Sequence, residues 1–430
     1  MINLRRYLST IKLPLTKPTT SRLNSKGKTK VPDQAPTPLS HLPPEIWLII
    51  FSYEDTLTPA DIRSIRLTSH FFSILSCARI FKKYYFDPFS CDGDEDINSE
   101  REEEMAFFTS ELIAPCIKEC ILGPTSSLRV NQTIDEDHLN PLITHFFNTL
   151  LPKFVSLLAF TAKWIPFNDL ALERLCGMRG TLRVLDVDDC IVNARTLTPV
   201  ERLGKLEVTN LTIRSAIHAP GPRDRGSVGW LEVLDLSHVK HIRVKVDNPE
   251  LSHLRGFTTT STPDPFSSSS SLEQTNAFFE TLALLLKPAY NLETLHIKRF
   301  YSCREDIPLP AFTLIFPKLR TYRGPQRLFE RIKPGAELRS LTLKSFEAHK
   351  YHKPEDVERI LMRTKEDGMR IGERLVELVV NVNGVPEGFL ESIERECGRL
   401  RVLSIRAAQL DEEMVRTSHL LIWCLTDPFG

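Results

Sequence analysis

Apolar residues recur along most of the chain in one short pattern. An apolar position is followed by two others, an apolar position, one other, and a last apolar position. It reads Leu182-x-x-Leu185-x-Val187, Leu231-x-x-Leu234-x-Leu236, Leu292-x-x-Leu295-x-Ile297, Leu338-x-x-Leu341-x-Leu343, Leu375-x-x-Leu378-x-Val380 and Leu400-x-x-Leu403-x-Ile405. Weaker copies stand at Ile117-x-x-Cys120-x-Leu122 and Val208-x-x-Leu211-x-Ile213. The last two apolar positions of each copy lie two apart, so they face one side of a strand and enter a core. Segments of helical period fall between the copies: Phe278, Phe279, Leu282, Leu285 and Leu286 before Pro288; Val357, Ile360 and Leu361; Leu142, Ile143, Phe146 and Phe147. The pattern predicts strands alternating with helices, an α/β chain.

Three residues beyond the last apolar position stand Cys190 and Asn383 in two copies, and Val239 or Phe300 in others. With that feature the strand pattern resembles the leucine-rich repeat. The resemblance implies strand–helix repeats stacked into an irregular solenoid, burying a continuous core that no single unit could bury. A conventional parallel sheet is the alternative. Residues 258–271, with Thr258, Thr259, Thr260 and five serines from Ser267, read as a flexible loop insertion.

Near the amino terminus the pattern changes. Leu42-Pro43-Pro44-Glu45 opens a segment in which Ile46, Ile49, Ile50 and Tyr53 recur at helical spacing. Both prolines fit a helix start, where a missing N–H costs nothing. Thr58-Pro59-Ala60-Asp61 is a turn and a second helix start, followed by Ile62, Ile65, Phe72 and Leu75. So few short helices cannot bury all this apolar surface among themselves, which leaves a candidate partner face. The stretch resembles the F-box, the helical module that plugs a substrate adaptor into a cullin–RING ubiquitin ligase through the Skp subunit. Leu42-Pro43-x-Glu45 is its most specific part. Carried over by position, the resemblance implies Skp-subunit binding by Leu42, Pro43, Glu45, Ile46, Ile49, Ile50, Ile62 and Ile65. Glu54 to Thr58 is longer and more polar than the connection usual in that family.

Charge and composition narrow the picture further. The 430 residues carry 55 basic and 55 acidic side chains, so no global electrostatic case for nucleic acid exists. The charge is blocky: residues 1–38 hold eight Lys or Arg against one Asp, and Asp92 to Glu104 eight acids against Arg101. Both blocks are poor in core-forming residues and read as disordered or solvated. The basic leader also has transit-peptide traits, making mitochondrial targeting a minor possibility beside a cytoplasmic or nuclear location. No apolar run is long enough for a membrane span. Nine scattered cysteines, without a CxxC pair or a secretory signal, read as free thiols in a reducing compartment. Asp92-x-Asp94-x-Asp96 with Glu103 mimics a calcium loop but puts Ile97 where the sharp turn requires glycine. His238 and His241 read as a solvated rim, and no phosphate loop or nucleophile motif stands out.

The expected layout is therefore a basic leader over 1–38, an F-box-like helical domain over 39–87, an acidic linker over 88–110, and irregular leucine-rich repeats over 111–430. The expected fold class is α/β, a short helical F-box followed by a leucine-rich-repeat solenoid. The F-box resemblance implies a non-catalytic adaptor of a Skp–cullin–F-box ligase, without cofactor or metal, that brings an unknown protein target to the ligase and contacts neither nucleic acid nor membrane. The rival is a non-catalytic repeat scaffold that never assembles into a ligase. A target would meet the outward strand positions, such as Arg183, Asp186, Asp188, Glu232, Asp235, Glu293, Thr294 and His296, through a polar, salt-sensitive contact.

Overall fold

One hydrogen-bonded ladder organises most of the molecule. The computed structural model describes residues 46–47, 49–50, 57–68, 70–89, 95–124, 141–192, 203–216, 226–247, 283–284, 286–298, 311–344, 351–363, 368 and 370–409. These divide into two compact units, one ending at Ile80 and the other beginning at Phe81.

In the second unit the strands are β1 (Lys83–Phe86), β2 (Glu119–Leu122), β3 (Ala159–Lys163), β4 (Pro166–Phe167), β5 (Val184–Asp188), β6 (Ile191–Val192), β7 (Asn210–Ala216) and β8 (His241–Asp247), then β9 (Thr294–Lys298), β10 (Leu314–Phe316), β11 (Thr321–Pro325), β12 (Ile332–Pro334), β13 (Ser340–Lys344), β14 (Glu377–Gly384) and β15 (Val402–Gln409). Eleven of them form one sheet in the order β1-β2-β3-β5-β7-β8-β9-β11-β13-β14-β15, while β4–β6 and β10–β12 make two small sheets. Every pairing is parallel.

The register aligns the apolar positions into rows. Tyr84, Cys120, Phe160, Leu185, Leu211, Ile242, Leu295, Tyr322, Leu341, Leu378 and Leu403 stand side by side across the sheet. The first ten of these are buried. The next inward row carries Phe86, Leu122, Ala162, Val187, Ile213, Val244 and Ile297, all buried. Helices cover this face. In Pro354–Met362, Val357, Ile360 and Leu361 are buried, as the helical period predicts. Pro141–His145 runs into a π-helical turn, Phe146–Leu150, and buries Ile143, Phe146 and Phe147. Aromatic rings fill the end of the core nearest β1: Phe86 stacks on Phe146 at 5.5 Å, Phe147 meets Phe167 at 5.6 Å, and Phe167 meets Trp230 edge-on at 4.7 Å. Trp230 is fully buried, and its Nε1 donates to the Cys190 carbonyl at 3.0 Å.

The expected fold, a helical F-box followed by a leucine-rich-repeat solenoid, is corrected here. The described residues form an α/β fold dominated by the 11-stranded parallel sheet. The reason is physical. The apolar pattern reports only that a strand buries alternate residues on one face, which any sheet covered on one side demands. The connections share no common unit: the interval between aligned residues runs from 19 positions (Tyr322 to Leu341) to 53 (Ile242 to Leu295). One copy was not a ladder strand at all. Leu231 and Val233 lie in the helix Gly226–Val233, and Leu234 makes only an isolated bridge with Leu206. The ladder strand there is β8, with Val239, Ile242 and Val244 buried.

The acidic run between residues 92 and 104 enters a helix, Glu95–Phe108, whose last turns bury Met105 and Phe108. The basic leader and the Ser-rich stretch lie outside the described residues, as does all of the expected helix at 278–286 except residues 283, 284 and 286.

Trp230→Ala should lower the stability of the sheet unit by about 3–5 kcal/mol, since it empties a large buried site and orphans the Cys190 carbonyl. Urea denaturation followed by circular dichroism measures this. A loss under about 1 kcal/mol would place Trp230 outside the core.

Candidate functional sites

The helical unit is built around a tight cap. Thr58 caps the helix Pro59–Arg66: its Oγ1 accepts from the Asp61 amide at 3.2 Å, and Asp61 Oδ2 accepts from the Thr58 amide at 2.9 Å. The hydroxyl of Thr58 also donates to Asp61 Oδ2 at 2.7 Å, and these bonds hold the Asp61 carboxyl below its usual range. The helix His70–Ile80 follows; Arg79 Nη2 donates to the Leu57 carbonyl at 2.8 Å, and Arg66 Nε to Ser73 Oγ at 3.3 Å. Ile62 (2 % exposed) and Cys77 are buried in this unit.

Residues 46, 47, 49 and 50 are helical, and Trp47 meets Phe72 edge-on at 4.8 Å. Ile46, Ile49 and Ile50, at positions i, i+3 and i+4, share one face. They stand 40 %, 52 % and 37 % exposed. Leu67 and Ile74 are exposed as well. Of the eight sequence-predicted contact residues, these three isoleucines present apolar surface together. Ile65 is half-buried and Ile62 serves the interior of the unit; Leu42, Pro43 and Glu45 lie outside the described residues.

The second candidate surface is the outward face of the large sheet. Its charges are satisfied in two places. On β5 and β7, Arg214 bridges Asp186 at 2.8 Å and Asp188 at 3.3 Å; burial outweighs this attraction and lifts both carboxyls above their usual range. At the start of β9, Glu293 accepts from Lys240 at 3.2 Å and Arg320 at 3.5 Å, and Arg320 also holds Glu337 at 2.7 Å. Asp235 closes a turn with Ser237 and His238, at 2.7 and 3.2 Å, and Glu232 sits in the helix Gly226–Val233 instead of on a strand.

Between those places the register sets Arg243, His296 and Arg323 side by side on β8, β9 and β11. Two residues further along, Lys245 pairs with Lys298, and Lys344 lies on β13. Burial, then Arg323, Arg243, Lys298 and Lys344, push the His296 imidazole down to about 3. Its Nε2 is sealed from solvent and has no hydrogen-bond partner among the described residues. Of this group only His296 was singled out from the sequence. The signal was present in the strand alternation Arg243-x-Lys245 and His296-x-Lys298, which places the basic residues opposite the core face.

Among the described residues no group of three or more His, Cys, Asp or Glu could hold a metal ion. The six described cysteines are thiols, and burial pushes Cys176 to about 11 and Cys190 and Cys397 to about 12. Among the described residues no helix is long and apolar enough to cross a membrane. Comparison of the chain with protein-family models and with curated proteins finds no match.

The depressed His296 carries a signed consequence for pH. The fold favours the neutral ring, so protonation of the unfolded chain is the stronger, and stability is lost as pH falls from near 6.5 toward about 3. An NMR titration should show the His296 ring unprotonated at pH 5, where exposed histidines have titrated. His296→Gln should flatten the acid limb of a stability-versus-pH curve.

Proposed function

We propose that the chain is the substrate-recognition subunit of a Skp–cullin–F-box type ubiquitin ligase. The helical unit docks on the Skp subunit and the sheet unit holds the target protein. What carries the reading is the exposed face of Ile46, Ile49 and Ile50, in a segment whose sequence resembles the F-box. Apolar residues of this size, set at i, i+3 and i+4, are the means by which a helix enters a partner's groove. The chain itself contributes no catalytic group in this reading. It raises the effective concentration of the target beside a ubiquitin-charged enzyme, which is a matter of proximity and orientation. Its place of work is the cytoplasm or nucleus, where such ligases assemble.

Burying the exposed part of each isoleucine contributes roughly 1 kcal/mol, so the three together account for about 100-fold in affinity. Ile46→Asp with Ile50→Asp should therefore reduce capture of the Skp subunit by at least about tenfold, read by co-purification and calorimetry. Unfolding of the sheet unit should be unchanged. Undiminished capture would overturn the ligase reading and leave a scaffold that never joins a ligase.

A further inference from the structure

The two edges of the large sheet close differently. On β1, Tyr84 is 1 % exposed and Phe86 2 %. The helix Glu95–Phe108 covers them: Phe108 meets the Tyr84 ring at 4.4 Å, and the Arg101 guanidinium stands 5.9 Å over Phe86. On β15 the same two inward rows end in Leu403 and Ile405. Both are half-buried, as is Ala407, although their ladder neighbours Leu378, Val380 and Val382 on β14 are fully buried. No described helix follows β15. One end of the core is thus sealed by a helix, and the other presents apolar side chains to water.

We propose that residues 411–425 of this same chain fold back as a helix over the inward face of β15, setting Met414, Leu421, Ile422 and Leu425 against Leu403 and Ile405 and closing the open end of the core. The inference concerns the sheet unit alone and holds whether or not the helical unit docks on a Skp subunit.

Residues 410–430 lie outside the described residues, and spacing, period and tether select them as the occupant. The connection that leaves β14 opens its helix 11 positions after the row residue (Leu378 to Phe389), and Met414 stands 11 positions after Leu403. In the last two described helices, apolar residues three or four apart turn inward: Val357, Ile360 and Leu361 in Pro354–Met362, and Phe389 and Ile393 in Phe389–Glu396. Leu421, Ile422 and Leu425 repeat that spacing, and Met414 falls on the same side two turns earlier. Asp411, Glu412 and Glu413 supply a cap and an acidic first turn, and Pro428 a stop. Since β15 ends at Gln409, the segment meets this face at roughly millimolar effective concentration, which a second copy or an outside partner has to match.

The test is hydrogen exchange read by mass spectrometry on the full chain. In wild type, the amides of 414–425 should exchange at least about tenfold more slowly than in an unstructured peptide. Leu421→Asp with Ile422→Asp should abolish that protection and speed exchange in β15 by about tenfold, with β5 and β7 unchanged. Leu421→Ala with Ile422→Ala should act in the same direction and decides the matter if the aspartates unsettle β5 as well. Arg416→Gln, on the side of the helical period opposite Met414, should leave β15 within about twofold. The proposal is overturned if the wild-type amides of 414–425 exchange at the unstructured rate, or if both double variants leave β15 as it was. It is also overturned if light scattering finds a dimer whose β15 protection falls on dilution, which would give the face to a second copy. Loss of Skp capture with β15 protection intact would remove the ligase reading alone, and the reverse result would remove only this one.

Discussion

The parallel ladder is the constraint on which the sheet unit depends. In a parallel sheet every interior strand donates and accepts on both edges, so a misplaced residue is felt by two neighbours. Keeping eleven strands in one register forces alternate residues into continuous rows. The rows that begin at Tyr84 and Phe86 face the helices, and their occupants must be dry and close-packed. The rows between them face outward and are free to vary. The same backbone geometry thus sets stability on one side and leaves chemistry open on the other.

That division explains where the polar groups are costly. Trp230 and Tyr322 are buried with their polar atoms satisfied: the indole N–H by the Cys190 carbonyl, and the phenol by the Pro325 carbonyl at 2.7 Å. Gly324 shows how tightly the rows are filled. It stands in an inward row where its neighbours are Ile297 and Leu343, but a Cβ there would meet the Tyr322 hydroxyl at 2.8 Å. The large ring of Tyr322 occupies the volume that a branched side chain fills on the neighbouring strands. Packing is conserved across the two residues, although neither residue looks like its counterparts.

The same exchange decides what could be read from the sequence. Strands β2, β5, β7, β9, β13, β14 and β15 are visible because leucine, isoleucine, valine or cysteine fills the inward positions. Strands β1, β3 and β11 follow the same spacing with Phe81-x-x-Tyr84-x-Phe86, Leu157-x-x-Phe160-x-Ala162 and Leu319-x-x-Tyr322-x-Gly324. Aromatic and small residues there hide a period that the structure makes plain. Before β8 a leucine-rich copy begins at Leu231, ten residues ahead of the true strand, because a helix and a strand end can both satisfy so short a pattern. The architecture was less legible than the strands, since the pattern fixes which face is buried and not how strands are closed into a fold. The candidate sites divide similarly. The apolar face of Ile46, Ile49 and Ile50 follows from helical period alone, whereas the row of Arg243, His296 and Arg323 requires the register of three strands separated by long connections.

The basic row persists because water makes it cheap. Two exposed guanidiniums about 10 Å apart, screened by water, repel by only about 0.4 kcal/mol. A third charge between them is another matter. The ring of His296 is half-buried, so protonation would forfeit solvation and place a cation about 5 Å from each arginine. The histidine gives way and stays neutral, while the arginines keep their charge because no accessible pH removes it. Electrostatic strain at this face is therefore taken up by the one group able to shed a proton. The ladder specifies the spacing of these charges, because the register sets Arg243, His296 and Arg323 on successive strands.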